Sequence, residues 1–151
     1  MFKNIFPIFL LFFFSNEVIA KQIEITSDKL EILRVDNISI FSGNVHAKEN
    51  DLEIWSEKLI VTSSEDQKQI KEINARDNVK ILKEELTIIG NQARYDTLNN
   101  ILTVIGRVEV IQNENTILCD EIIVDLENSS SIMKSEINKR VEALIITKNK
   151  D

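Results

Sequence analysis

Apolar and polar side chains alternate with a period of two through most of the chain after residue 20. Ile23 and Ile25 share one parity, and Leu52 and Ile54 share the other, with Glu53 between them. This alternation is typical of strands that bury one face, because successive side chains point to opposite sides of a strand. β-Branched residues are abundant, and no stretch carries a sustained helical stripe. The sequence therefore predicts an all-β fold.

A short block recurs four times along the chain. Each copy has a small first residue, two polar residues, and apolar residues at the fourth and sixth places. The copies begin at Ser27, Ser56, Gly90 and Cys119, so the intervals are 29, 34 and 29 residues. Internal repeats of this length predict a periodic architecture in which each copy is one structural unit.

A second motif alternates with these blocks and places a valine after a pair of mostly polar or glycine residues. At Ser56, which begins the second copy of the first block, the apolar residues switch from even positions (Leu52, Ile54) to odd positions (Leu59, Val61). Such a switch is the effect of a β-bulge or sheet corner. Each repeat is therefore predicted to be a strand, a corner, a strand, a turn and a returning strand. The second motif occupies 43–45, 77–79, 106–108 and, more weakly, 139–141.

Two polar stretches, Ser63 to Lys71 and Glu127 to Glu136, lengthen the second and fourth repeats and are interpreted as exposed hairpin loops. The first strand (Ile23 to Thr26) and the last (Val141 to Thr147) carry little to block pairing at their outer edges. Soluble proteins normally protect such edges. Open edges therefore predict strand addition to a partner.

Residues 1–20 differ from the rest of the chain. They contain six of the seven phenylalanines and the single proline, with Lys3 before an apolar run from Ile5 to Phe14 and a polar stretch after it. This order is typical of a secretory signal, cleaved here after Ala20. A membrane-spanning helix needs roughly 20 apolar residues, about twice this run. We therefore expect a signal peptide over residues 1–20 and one exported domain over residues 21–151.

The composition disfavours several kinds of function. A formal net charge of -7 disfavours nucleic acid as a partner. One cysteine, Cys119, and one histidine, His46, offer no metal cluster, and three distant glycines form no phosphate-binding loop. Adjacent acidic residues such as Glu84 and Glu85 point to opposite faces of a strand and do not converge. We expect no enzyme activity, catalytic residue, cofactor or metal; Cys119 is expected to be buried, and His46 and Trp55 to face outward.

Five segments of the chain resemble a known family. Residues 25–30 (ITSDKL), 41–45 (FSGNV) and 52–59 (LEIWSEKL) look like the opening of the LptA/OstA-like domain of lipopolysaccharide transport proteins. Residues 90–96 and 101–110 look like its second half. The resemblance covers roughly residues 23 to 126, most of the chain after the signal segment.

The resemblance implies a slightly twisted, open, taco-like β-jellyroll of antiparallel strands. It implies a non-enzymatic carrier in the periplasm, which holds the acyl chains of lipopolysaccharide in an apolar groove between the inner and outer membranes. Expected partners are an inner-membrane LptC-type subunit, an outer-membrane LptD-type subunit and further copies of the chain, joined head to tail by edge strands.

The side chains of the inward parity are almost wholly aliphatic, as a lipid conduit requires. Each acyl methylene that enters such a groove would gain about 0.8 kcal/mol. The same residues can also build a closed core, and the sequence does not distinguish the two. The predicted lipid-binding residues are Ile25, Leu30, Ile32, Phe41, Val45, Ile54, Leu59, Val61, Val79, Ile88, Tyr95, Val104, Val108 and Val124.

Two other functions remain open from the sequence. One is an LptC-like export subunit that keeps its amino-terminal segment as an inner-membrane anchor. The other is a structural β-repeat protein without lipid cargo. Cell fractionation separates a processed, soluble carrier from an anchored subunit, and cross-linking to lipid separates a carrier from a structural protein.

Overall fold

The computed structural model describes residues 22–148, which form one ten-stranded antiparallel sheet. Its hydrogen-bonded order is β1-β3-β4-β5-β6-β7-β8-β10, with β2 also paired to β3 and β9 also paired to β8. The predicted signal peptide lies outside the described residues. The strands are β1 (Glu24–Thr26), β2 (Lys29–Leu33), β3 (Ile38–Glu49), β4 (Leu52–Ser63), β5 (Ile70–Lys83), β6 (Leu86–Asp96), β7 (Ile101–Gln112), β8 (Asn115–Asp125), β9 (Ser130–Lys134) and β10 (Glu142–Leu144).

The six long strands, β3 to β8, each bend at a corner where the pairing register shifts. In β3, β5 and β7 the corner contains two consecutive residues with positive φ: Gly43 and Asn44, Asp77 and Asn78, Gly106 and Arg107. Left-handed backbone in two successive residues sharply redirects a strand and reverses which face its side chains occupy. The second repeat motif therefore marks the corners of the odd-numbered long strands.

The predicted change of parity is present in the structure. In β4, Leu52 and Ile54 are buried before the corner, and Leu59 and Val61 are buried after it. Ser56, the small residue of the first motif, is buried at the corner itself, where its hydroxyl donates to the carbonyl of Lys58 at 3.0 Å. The first motif thus marks the corners of the even-numbered long strands.

The corners divide the sheet into two layers. We call the layer that contains β1, residues 52–55 of β4 and β10 the β1 layer, and the layer that contains β2, residues 58–63 of β4 and β9 the β2 layer. The two layers face each other: Leu52 and Ile54 of the β1 layer line the same small cavity as Ile73 and Tyr95 of the β2 layer. The sheet is therefore folded on itself along the row of corners, which confirms the expected taco-like arrangement of antiparallel strands.

The sequence interpretation was wrong at one end of the chain. Residues 127–136 were expected to be an exposed loop, but residues 130–134 form β9, which pairs with the second half of β8. A polar sequence is compatible with this strand because it lies at the sheet edge, where every residue of β9 except Met133 is exposed. The last strand is also shorter than expected and covers only Glu142–Leu144. The loop expected over Ser63 to Lys71 is present but shorter, because β4 ends at Ser63 and β5 begins at Ile70.

Candidate functional site

An uninterrupted row of apolar side chains crosses the inner face of the β2 layer. Directly paired residues of neighbouring strands point to the same side of a sheet, so the pairing register defines the row. It begins at the free edge of β2 and ends at the free edge of β9. Its members are Leu30, Phe41, Leu59, Ala75, Ala93, Val104, Ile122 and Met133.

A second row crosses the facing β1 layer, from β1 to β10. It is also apolar throughout, and Ile54, Ile81 and Ile88 are each less than 5% exposed. Together the two rows line the space between the layers from one end of the sheet to the other. The members of the second row are Ile25, Ala47, Ile54, Ile81, Ile88, Val110, Ile117 and Ala143.

The fourteen residues predicted from the sequence lie on the inward side but differ in burial. Ile25 and Phe41 are half-buried, whereas Leu30 is 49% exposed and Ile32 is 60% exposed. Leu30 and Ile32 therefore lie on the predicted inward side but at its open edge. They belong to the edge strand β2, which has a neighbour on one side only, and β1 opposite it is three residues long. The buried members are Val45, Ile54, Leu59, Val61, Val79, Ile88, Tyr95, Val104, Val108 and Val124.

The middle of the interior is closed. Leu59 and Val104 in the β2 layer have no exposed surface, and Val79 in the β1 layer has none either. Side chains that are fully enclosed pack against the opposite layer, as in an ordinary protein core. The middle of the interior is therefore packed, whereas apolar surface is exposed at the edge strand β2 and a cavity is present near β9 and β10.

The two ends of the interior differ in width. Near β1, the cavity that contains Leu52 and Tyr95 has a volume of about 10 Å³. Near β9 and β10, a cavity of about 370 Å³ lies between the layers, with Ile117 on one side and Val124 and Met133 on the other. We call this second space the wide-end cavity. Its rim is polar and includes Lys83, Gln112, Asn115 and Ser129 to Ser131.

Few polar groups reach the interior. Tyr95 is 4% exposed, and its hydroxyl donates to Oδ1 of Asn100 at 3.3 Å. Burial raises the pKa of the Tyr95 hydroxyl to about 12, and the charges of Glu49 and Asp96 add to this effect. Glu49, at the inner end of β3, is 9% exposed. These groups lie close to where strands end, so they leave the two apolar rows intact.

The residues expected to face outward do so and bind one another. The His46 ring is stacked on Trp55, with 4.8 Å between the ring centroids, and Nζ of Lys80 lies 5.5 Å from the Trp55 centroid. Nε2 of His46 lies 2.8 Å from Oε2 of Glu53. These contacts lie on the outside of the β1 layer, where they join three neighbouring strands.

Cys119 is buried at the corner of β8, as expected, and burial raises the pKa of its thiol. A raised pKa keeps the thiol protonated and unreactive near neutral pH. Within residues 22–148, no group of three or more His, Cys, Asp or Glu side chains is arranged to hold a metal ion. In the same part of the chain, no helix is long and apolar enough to cross a membrane.

Several interior residues were missing from the prediction. Ala47 shares its parity with Val45, and Val110 shares its parity with Val108, so both could have been found by extending the alternation. Met133 was missed for another reason. Its strand was interpreted as a loop, because five polar or acidic residues precede Ile132 without a break.

The comparison with protein families decides what kind of protein has this interior. A family model described as "LptA/(LptD N-terminal domain) LPS transport protein" matches residues 24–130, more than two thirds of the chain. The chain belongs to this family. The match begins at β1 and ends at the start of β9, so the family region contains the corners, both layers and most of the two apolar rows.

Solved structures agree with the LptA/LptD N-terminal domain assignment at the level of fold. The chain is similar to LptH from Pseudomonas aeruginosa, described as the LptA-homologous periplasmic component of the conserved lipopolysaccharide transport device. The TM-score is 0.75 at 13% sequence identity, and the match covers 84% of this chain and 96% of the other. A search of curated proteins finds no match.

Proposed function

We propose that this protein carries lipopolysaccharide through the periplasm, by holding acyl chains between its two layers and joining partner proteins through its edge strands. The observation that carries the proposal is the continuous apolar row from Leu30 to Met133, which begins and ends at strands with a free edge. Membership of a lipopolysaccharide transport family supports it. The chain is proposed to bind and guide its cargo without catalysing a reaction.

The two ends of the interior are the places where an acyl chain is proposed to enter and leave. Leu30 and Ile32 present apolar surface at one end, and the wide-end cavity presents Met133 and Ile117 at the other. Transfer of each methylene from water to such surface is worth about 0.8 kcal/mol. Passage through the middle requires the layers to separate around Leu59 and Val104, which are fully enclosed.

The partners are proposed to pair with the free edges. β1 and β2 have one neighbour each at one end of the sheet, and β9 and β10 have one neighbour each at the other. Edge strands bind other chains through unpaired backbone groups. We infer an inner-membrane LptC-type subunit and an outer-membrane LptD-type subunit as partners, with head-to-tail copies of this chain between them.

Photo-cross-linking in cells tests the carrier function. A photoreactive amino acid at Phe41 or Met133, which face inward, is expected to give lipopolysaccharide adducts. Ile40 and Ile132 are matched controls, because each is the preceding residue on the same strand and faces outward. Tyr95 and Lys48 form a further inward and outward pair. Equal labelling at all positions, or at none, would contradict the carrier function and favour a structural β-repeat protein.

Cell fractionation tests the proposed location. A processed chain released with the periplasmic contents is the result expected for a soluble carrier. A full-length chain that stays with the inner membrane would contradict it and indicate an LptC-like anchored subunit instead.

A further inference from the structure

The last described residues, 142–148, lie along β8, and we call this segment the strap. Its strand β10 pairs only three residues with β8, and all three are exposed. Leu144, Ile145 and Ile146 are 63%, 67% and 50% exposed. Pairing in a sheet is stabilised mainly by side chains that bury a face against their neighbours. The strap therefore gains little free energy from its position.

The polar contacts of the strap are also weak. The backbone N–H of Ile146 donates to Oδ1 of Asn115 at 3.0 Å. Nζ of Lys148 lies 3.8 Å from a carboxylate oxygen of Glu114, and both side chains are more than half exposed. An exposed ion pair contributes little to stability. These contacts hold the strap without fixing it firmly.

The segment before the strap is attached independently. The N–H of Glu136 donates to Oδ2 of Asp120 at 2.8 Å, and Nζ of Lys139 lies 3.7 Å from the other oxygen of the same carboxylate. β9, still earlier in the chain, pairs five residues with the second half of β8. The strap can therefore leave β8 while β9 and the corner at Asp120 stay in place.

Near β9 and β10, the strap covers two features that would be open without it. It occupies the outer edge of residues 116–118 of β8, and Ile145 contributes to the lining of the wide-end cavity beside Ile117 and Met133. The apolar row of the β1 layer ends on β10 at Ala143, whose side chain is a single methyl group. The two preceding members of the row, Val110 and Ile117, are larger. A larger apolar residue at that position would continue the row.

We propose that the strap is a displaceable strand, and that a partner's extended strand with alternating apolar residues replaces it on residues 115–119 of β8. The partner strand pairs where β10 pairs now, places a large apolar side chain where Ala143 lies, and uncovers the wide-end cavity in the same step. This inference rests on the proposed edge pairing. It differs from simple addition of a strand outside β10, in which the strap would stay.

Strand exchange in the intact protein tests the proposal. The probe is a fluorescent synthetic peptide with the sequence of residues 138–148. The cross-linked variant carries Glu142→Cys and Leu118→Cys, which are directly paired and face outward, in a Cys119→Ala background. Paired Cα atoms of antiparallel strands lie about 4.5–5.5 Å apart, within the range of a disulfide. Oxidation thus ties the strap to β8 without altering the interior.

Uptake of the peptide by the reduced variant and by the Cys119→Ala parent, with loss of uptake on oxidation, is the expected result. A peptide with leucine at the Ala143 position is expected to bind more tightly than the natural one. A second disulfide variant, Glu31→Cys with Ile40→Cys between β2 and β3, is the matched control and should take up peptide in both redox states.

Two results would overturn the proposal. Equal uptake by the oxidised and reduced forms would mean that the peptide adds outside β10, and no uptake by any form would mean that the strap is not displaceable. Neither result depends on lipid, so the carrier function would still be decided by the cross-linking at Phe41 and Met133.

Discussion

The side chain of Asn91 lies directly against the backbone of Gly106, so that a β-carbon added at Gly106 would come within 2.6 Å of Nδ2 of Asn91. Gly106 also has a φ of +85°. The same arrangement occurs one double repeat earlier, where Asp28 lies against Gly43, whose φ is +81°. A residue at the corner of one strand thus occupies the space that the glycine of the neighbouring strand leaves free.

Replacement of Gly106 by alanine is expected to destabilise the protein. The added methyl group must displace Asn91, and the left-handed backbone costs about 1–3 kcal/mol for a residue with a β-carbon. Urea unfolding measures the loss. Arg107→Gly is the control. Arg107 has a φ of 47°, so glycine at this position removes the cost of left-handed backbone that Gly106→Ala adds. Equal stability of Gly106→Ala and the unaltered protein would contradict the close approach at this corner.

Truncation of neighbouring isoleucines in β8 is expected to have unequal effects. Ile122 is fully buried between the layers, whereas Ile123 lies on the outward side and is only half-buried. Ile122→Ala is expected to lower the free energy of unfolding by about 2–5 kcal/mol, because it leaves a cavity in a packed region. Ile123→Ala should cost less than half as much. Similar losses from the two variants would mean that the interior is not packed around Ile122.

The single tyrosine makes the interior accessible to a spectroscopic titration. The pKa of Tyr95 is raised from its ordinary value of 10.0 to about 12 in the folded protein. A folded state with the higher pKa binds the proton more tightly, so its stabilising contribution is complete below pH 10 and is lost as the pH rises towards 12. Phenolate absorbance should therefore show a midpoint near pH 12 in the folded chain and near 10 in urea. Tyr95→Phe is expected to lose the signal and reduce the alkaline loss of stability.

The two equivalent turns that follow β6 and β8 are expected to make the stability of the protein sensitive to acid. Hydrogen bonds from the Asn99 side chain and backbone lower the pKa of Asp96, and those from Asn128 lower the pKa of Asp125. A lowered folded pKa stabilises the protein above the ordinary aspartate value of 3.8. That contribution is lost as the pH falls through the lowered pKa.

Combined replacement Asp96→Asn and Asp125→Asn should therefore lower the urea midpoint at neutral pH and reduce its decline in acid. Unfolding curves recorded from pH 6 down to about 2 measure both effects. Asp36→Asn, in another exposed turn, controls for the loss of a surface carboxylate. An unchanged acid dependence in the double variant would show that these turns do not contribute.

The first repeat motif could be interpreted from the sequence because its structural effect is local: around Ser56 the apolar residues change parity within one strand. The second motif also recurs in the sequence, but only the structure shows that its left-handed pairs, such as Gly43 with Asn44, are corners. The corners of the even-numbered long strands, the inward face and the all-β architecture therefore followed from the order of the residues. The free edges at the first and last strands, β1 and β10, followed as well, but the free edge at β9 did not, because that strand was interpreted as a loop.

The sequence by itself determined which side chains point inward, because alternation and its reversal at each corner are properties of single strands. Only the tertiary structure decided how far each of them is covered, because burial depends on the opposite layer. Leu30 and Leu59 occupy the same row, yet Leu30 is 49% exposed at an unpaired edge and Leu59 is fully enclosed. The same dependence explains why Ser130–Lys134 forms a strand despite its polar sequence: the free edge of β8 supplies its hydrogen bonds, and little of it needs to be buried.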